Sequence, residues 1–175
     1  APTVAISGTL FYCAGPGSNT TLNATAGLSS YLWSSGETTQ SITATAGSYT
    51  VTGTDANGCS TTSSSVTVTE TALDNADFAY SANSYEPTDA DPTPTITGLT
   101  GGTFSGTTGL VFVDSGTNTG SSTGEIDLSA STVAAHTITY NTTSSGSSVC
   151  PNTSTQNVEI AVAGIANNYS MNFDS

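Results

Sequence analysis

The chain has 175 residues, no Lys or Arg at all, 13 Asp and Glu and a single His, for a formal net charge of −13 at pH 7. Without cations it cannot clamp phosphates, so nucleic acid, nucleotides and anionic membrane surfaces are poor partners. A Lys–Asn isopeptide crosslink is impossible, and trypsin-like proteases find no cleavage site. The length suits one large or two small domains, and with 5 Phe and 1 Trp each core must be thin. Domains of about 70 to 90 residues bury only roughly 60% of their unfolded surface, so an added constraint such as a disulfide is expected.

Short alternating segments follow one another from the start. Thr3–Ser7, Phe11-Tyr12-Cys13 and Thr20–Ala24 read as strands, the last with Leu22 and Ala24 inward. Tyr31 and Trp33 share one face of the next strand, and Trp33 is expected to fill the core rather than offer a sugar-stacking platform. After a strand at Ser41–Ala44, the run Tyr49–Gly53 alternates Tyr49, Val51 and Gly53 against Thr50 and Thr52, the period of a sheet with one wet face. Gly47-Ser48-Tyr49 has the form of a tyrosine corner, in which a Tyr at a strand start sends its hydroxyl back to upstream backbone. Asp55-Ala56-Asn57-Gly58 closes a hairpin, since Asn and Gly tolerate positive φ. Ser64–Thr69 supplies the closing strand of a first domain, 1–70, with Val66 and Val68 inward.

Glu70, Asp74 and Asp77 mark a change of composition, and a second domain is expected over 71–163. It opens with Phe78 and Tyr80, crosses a polar loop at Asp89-Ala90-Asp91-Pro92, and continues through strands at Thr95–Thr97, Gly101–Ser105 and Leu110–Val113. Ser115–Gly124 reads as a long exposed loop, Glu125–Leu128 as a half-buried strand, and His136–Thr142 with Asn157–Val162 as the closing hairpin. No segment shows a 3.6-residue period and no apolar run approaches the ~20 residues of a membrane-spanning helix. The fold expected is all-β, as two tandem Ig-like β-sandwiches. The chain begins without Met and without a signal peptide, which reads as a mature product or a piece of a longer protein.

Cys13 and Cys59 fall near the two ends of the first core and are expected to form a structural disulfide, which implies an oxidising compartment. No CxxC occurs, so zinc is a weak reading. Asp74, Asp77, Asp89 and Asp91 form the one candidate metal set, for calcium, which takes several carboxylate and carbonyl oxygens. Their spacing fits no EF-hand loop, and solvated acidic loops are the simpler account. Aligning Gly47–Val51 with Ala134–Ile138 places His136 where the first domain has Tyr49, a packing position for which no acid or nucleophile is evident. No G-x-S-x-G elbow exists, and Glu125 and Asp127 share one strand face instead of opposing each other across a cleft, so no enzyme is expected.

Tyr31-Leu32-Trp33-Ser34, Thr38–Ile42, Ala46–Val51 and Asp55–Cys59, followed by Asp91–Ile96, Gly101–Phe104 and Ser122–Leu128, resemble the repeated Ig-like modules of very large secreted Bacteroidetes surface proteins. Gliding-motility adhesins and other type IX secretion substrates belong to this group. The resemblance implies an extracellular, cell-surface location and neighbouring modules, in the same or identical chains, as partners. The companion module of that group carries a Cys near the position of Glu86; its absence here leaves Cys150 as, in order, a buried free thiol, a crosslink to another chain, or a thiol whose lost partner has been tolerated. Asn167–Asp174 resembles the opening strand of a laminin-G or concanavalin-like domain, so 164–175 is a linker or the start of a further domain. The function implied is a structural and adhesive spacer of a cell-surface adhesin or fibre. The alternatives are a subunit of a self-assembling filament, which would pair through an exposed edge strand or terminal segment, and a carbohydrate-binding module of a secreted protein, with surface glycans as partners.

Overall fold

The computed structural model describes residues 1–146 and 149–162. The expected linker at 164–175, with its laminin-G-like segment, lies outside the described residues. No α-helix occurs among the described residues, and none is long and apolar enough to cross a membrane. The chain divides into two compact units, Ala1–Leu73 and Asp74–Ser175.

The first unit is built from β1 (Ile6–Gly8), β2 (Phe11–Cys13), β3 (Thr20–Ala24), β4 (Ser30–Trp33), β5 (Ser41–Ala44), β6 (Gly47–Tyr49), β7 (Val51–Thr54), β8 (Ser60–Thr62) and β9 (Val66–Thr71). One sheet has the order β1-β3-β5. In the other, β6 and β7 form a near-continuous strand interrupted only at Thr50; β9 and then β2 lie beside its first half, while β4 and β8 flank its second. This strand order is that of an immunoglobulin-like sandwich. Alternation turns Leu22, Ala24, Ile42 and Ala44 from the first sheet onto Trp33, Val51 and Val68 from the second. Trp33 is 2% exposed, and its indole N–H donates to the Thr39 carbonyl at 2.8 Å. The Tyr49 hydroxyl donates to the Thr45 carbonyl at 3.0 Å, closing the corner expected there. At the hairpin tip, Gly58 adopts φ 80° and the Asp55 carboxylate accepts the N–H groups of Asn57 and Cys59, each at 2.9 Å.

The second unit contains β10 (Phe78–Ala79), β11 (Ser84–Tyr85), β12 (Thr95–Ile96), β13 (Thr103–Gly106), β14 (Thr119–Ser121), β15 (Ala135–Asn141), a 3₁₀ turn at Thr142–Ser144, and β16 (Thr153–Ile160). Its main sheet runs β11-β16-β15-β13-β14, with β11 parallel to β16 and the other pairs antiparallel. The facing layer is less regular. The β10–β12 pair is extended by the Ile126 N–H donating to the Pro92 carbonyl, and a single bridge joins Phe112 to Ile126. Between the layers lie Phe78, Tyr80, Phe104, Phe112 and Tyr140, with Leu110, Ile126, Leu128, Ile138, Val158 and Ile160 around them. Phe78 meets Phe104 edge to face at a centroid distance of 5.3 Å, and Phe104 meets Tyr140 at 4.5 Å.

Several elements differ from the sequence reading. Leu110–Val113 and Glu125–Leu128 alternate as expected, with Leu110, Phe112, Ile126 and Leu128 buried. They nevertheless form one bridge instead of a ladder, because the chain turns at Phe112–Thr117 and at Asp127–Ser131. The expected loop Ser115–Gly124 contains β14, whose Ser121 is wholly buried and accepts the Gly124 N–H at 2.8 Å. The sequence reading did not identify β8 and β11 as strands, and β16 begins at Thr153 instead of Asn157.

Candidate functional site

The cysteines do not pair as expected. Cys59 is a free, exposed thiol, and both Cys13 and Cys150 are disulfide-bonded. The expected Cys13–Cys59 bond is ruled out by register. Cys13 sits beside Thr71 at the end of β9, whereas Cys59 lies past the Thr54↔Ser60 pair at the opposite end of the same sheet. The intervening Gly47–Thr54 run alone spans roughly 23 Å, against the ~7 Å that a disulfide allows between Cα atoms. Cys150 is buried at 0% exposure, as expected, but it is bonded and not a free thiol.

The four candidate calcium carboxylates are dispersed over separate tasks. Asp74 accepts the Thr142 hydroxyl at 3.0 Å, Asp89 the Glu86 N–H at 2.8 Å and Asp91 the Leu128 N–H at 2.9 Å. Asp77 acts through its backbone, with its carbonyl accepting the N–H groups of Thr97 and Gly98. Among the described residues no group of three or more His, Cys, Asp or Glu is placed to hold a metal ion, so the structure does not bring these four together as a calcium shell requires.

In a chain without Lys or Arg, carboxylates take their hydrogen bonds from backbone N–H groups and hydroxyls. Asp114 is the clearest case. Burial pushes its pKa up, but the Ser121 hydroxyl, the N–H and hydroxyl of Ser122 and the Thr123 N–H outweigh that and hold it at about 2. Asp127 is lowered first by the Ala130 N–H and then by the Ser129 hydroxyl, at the turn that ends its segment. Burial also raises the pKa of Tyr80, with a smaller contribution from Tyr85, and its hydroxyl donates to the Gly124 carbonyl.

His136 is 2% exposed. Its Nε2 lies 2.8 Å from the Thr132 carbonyl, which can only accept, and its Nδ1 lies 3.1 Å from the Thr107 hydroxyl. A proton on Nε2 satisfies the carbonyl contact, the Thr107 hydroxyl serves Nδ1, and among the described residues no carboxylate is among its hydrogen-bond partners. His136 therefore fastens two loops to β15.

An open groove of about 530 Å³ lies in the second unit, lined by Asn83, Ala135, Gln156, Asn157, Val158 and Glu159. Asn157 and Glu159 alternate with the buried Val158 and Ile160, which marks them in the sequence as outward neighbours on one strand but gives no sign of a groove.

No protein-family model matches the chain, and no curated protein matches it. A solved structure of murine CEACAM1b is similar over 91% of this chain and 100% of that chain, at 12% sequence identity and a TM-score of 0.34. A likeness this slight carries no argument, and the immunoglobulin-like reading of the first unit rests on its strand order and core.

Proposed function

We propose that this chain is a structural and adhesive segment of an extracellular fibre or cell-surface adhesin. Its β-sandwich units set distance, and its net negative charge suppresses association with like copies. The observation that carries the reading is that this all-β chain contains disulfide-bonded cysteines, Cys13 and Cys150, since a disulfide persists in oxidising exteriors. The absence of Lys and Arg supports it further, because trypsin-like proteases find no site. The resemblance of Tyr31–Cys59 and Asp91–Leu128 to modules of secreted Bacteroidetes adhesins supports the same location. A non-catalytic role is favoured by His136, whose two ring nitrogens are occupied by Thr107 and Thr132.

The test is antibody labelling of intact cells of the source organism, paired with an attachment assay on a strain lacking this segment. Labelling without permeabilisation and reduced attachment are expected. Labelling only after lysis would overturn the proposal.

A further inference from the structure

The groove in the second unit is built by the edge of the main sheet. β11 runs parallel to the end of β16, held by the Glu159 N–H to the Asn83 carbonyl at 2.8 Å and the Ala161 N–H to the Tyr85 carbonyl at 3.0 Å. Gln156 turns away toward β10, where its amide donates to the Phe78 carbonyl at 2.7 Å. Asn157 is oriented differently. Its Oδ1 accepts the Thr137 hydroxyl at 2.8 Å, which fixes the carboxamide and leaves the two Nδ2 hydrogens as outward donors. Among the described residues no side chain hydrogen-bonds to the Glu159 carboxylate or to the Asn83 carboxamide, although both line the same groove. One carboxylate acceptor, one oriented amide donor and one amide that can do either thus face a common volume.

Three ligand classes can be compared against this lining. An anion would meet Glu159 and no cation anywhere in the chain. An apolar ligand would find only Ala135 and Val158 among polar neighbours. A neutral, hydroxyl-rich ligand fits both halves of the set, because adjacent hydroxyls donate to a carboxylate while accepting from an amide. The same sheet face continues the pattern: Thr137 is paired with Asn157, Thr139 with Thr155, Asn141 with Thr153, and Ser105 with Thr139, so hydroxyls and amides extend away from the groove. We infer that the groove of Asn83, Asn157 and Glu159 binds a neutral oligosaccharide segment, which runs onto the threonine face of β15 and β16. Among the described residues no aromatic ring lines the groove, so single-site affinity is weak, on the order of 1 mM. Repetition of such units along a fibre raises the avidity. The inference gives the adhesive half of the proposed function its ligand class. Its failure would remove that ligand and leave the surface location untouched.

The experiment is an amide-shift NMR titration of the full ¹⁵N-labelled chain with neutral gluco-, galacto- and manno-oligosaccharides, alongside a uronic-acid oligomer and an amine-bearing chitosan oligomer. Saturable shifts at Asn83, Ala135, Asn157, Val158 and Glu159 with at least one neutral series are expected. Asn157→Ala should weaken that binding about fivefold, the equivalent of roughly one hydrogen bond, with unchanged Tm. Thr21→Ala in the first unit should leave it as it was. No saturable shift at the groove with any neutral series, shifts that Asn157→Ala leaves intact, or binding of the chitosan oligomer alone would each overturn the assignment.

Discussion

The two units solve the same problem, an all-β unit without Lys or Arg, in different ways. The first carries only Glu37, Asp55 and Glu70 as acids, and its buried core is a single Trp among Leu, Ile, Val and Ala. Its wet faces are tied by hydroxyl pairs, Thr52 to Thr62 at 2.8 Å and Thr54 to Ser60 at 2.9 Å. The second holds the remaining ten acids and an aromatic cluster of Phe78, Tyr80, Phe104, Phe112 and Tyr140. There, the carboxylates of Asp74, Asp89, Asp91, Asp114 and Asp127 do the fastening by accepting N–H or hydroxyl donors. The contrast shows that acidic residues can stabilise irregular chain without ion pairs, provided that backbone donors are aimed at them. It also separates what each unit depends on: one large side chain in the first, a distributed cluster and capped loops in the second.

Truncating the cores gives the largest expected effect. Trp33→Ala should cost about 3–5 kcal/mol, as should Phe104→Ala. In the first unit that loss removes the only large buried ring, and calorimetry should show its transition gone. In the second, Phe78 still meets Tyr80 and Tyr140, and a lowered but cooperative transition should remain. Equal outcomes for the two variants would break the comparison.

The disulfide-bonded cysteines come next. Reduction should lower stability by about 2–4 kcal/mol. In the unreduced chain a maleimide should label Cys59 alone, both native and in denaturant, and after reduction all three cysteines. Recovery of a Cys13–Cys59 crosslinked peptide by mass spectrometry would contradict the structure.

Tyrosine hydroxyls offer the same device at two depths. Tyr140 is wholly buried; its hydroxyl donates to the Leu99 carbonyl at 2.7 Å and accepts the Gly102 N–H at 2.9 Å. Tyr140→Phe strands both groups away from water and should cost about 1–3 kcal/mol, whereas Tyr49→Phe at the half-buried corner should cost about 0.5–1 kcal/mol. Chemical denaturation of the two variants would rank them.

How much of this could be read in advance follows from where the information sits. Trp33, the Tyr49 corner and the alternation of Val51 with Gly53 are local signals, and a period of two is visible over four or five residues. The same period marked Leu110, Phe112, Ile126 and Leu128 as inward, even though the ladder between their segments reduces to one bridge. β14 was hidden because Thr119-Gly120-Ser121 contains no apolar residue, and its buried member is a serine. The cysteine pairing failed for another reason. Proximity in sequence order says nothing of which end of a sheet a residue reaches, and only the register of β2 on β9 places Cys13 far from Cys59. The groove at Asn157 was legible as alternation but not as a concavity, since it depends on β11 arriving parallel beside β16.

The smallest expected effect tests the idea that carboxylates fasten the second unit. Asp114 has its pKa held at about 2 in the folded chain, below the ordinary 3.8. A group whose folded pKa is depressed adds stability that is present above the unfolded pKa and lost as pH falls through the folded one. Asp114→Asn should therefore destabilise the second unit at pH 7, and the gap from the wild type should close between about pH 4 and pH 2. The carboxylate is exposed, so solvent screening reduces its contribution to about 1 kcal/mol at most. Trp33 fluorescence reports only the first unit, because it is the only Trp, and near-ultraviolet circular dichroism of the tyrosines in the second unit can be followed beside it. A pH-dependent difference that appeared in the Trp33 signal, or one that persisted unchanged at pH 2, would show that the Asp114 turn does not fasten this unit in the way its four donors indicate.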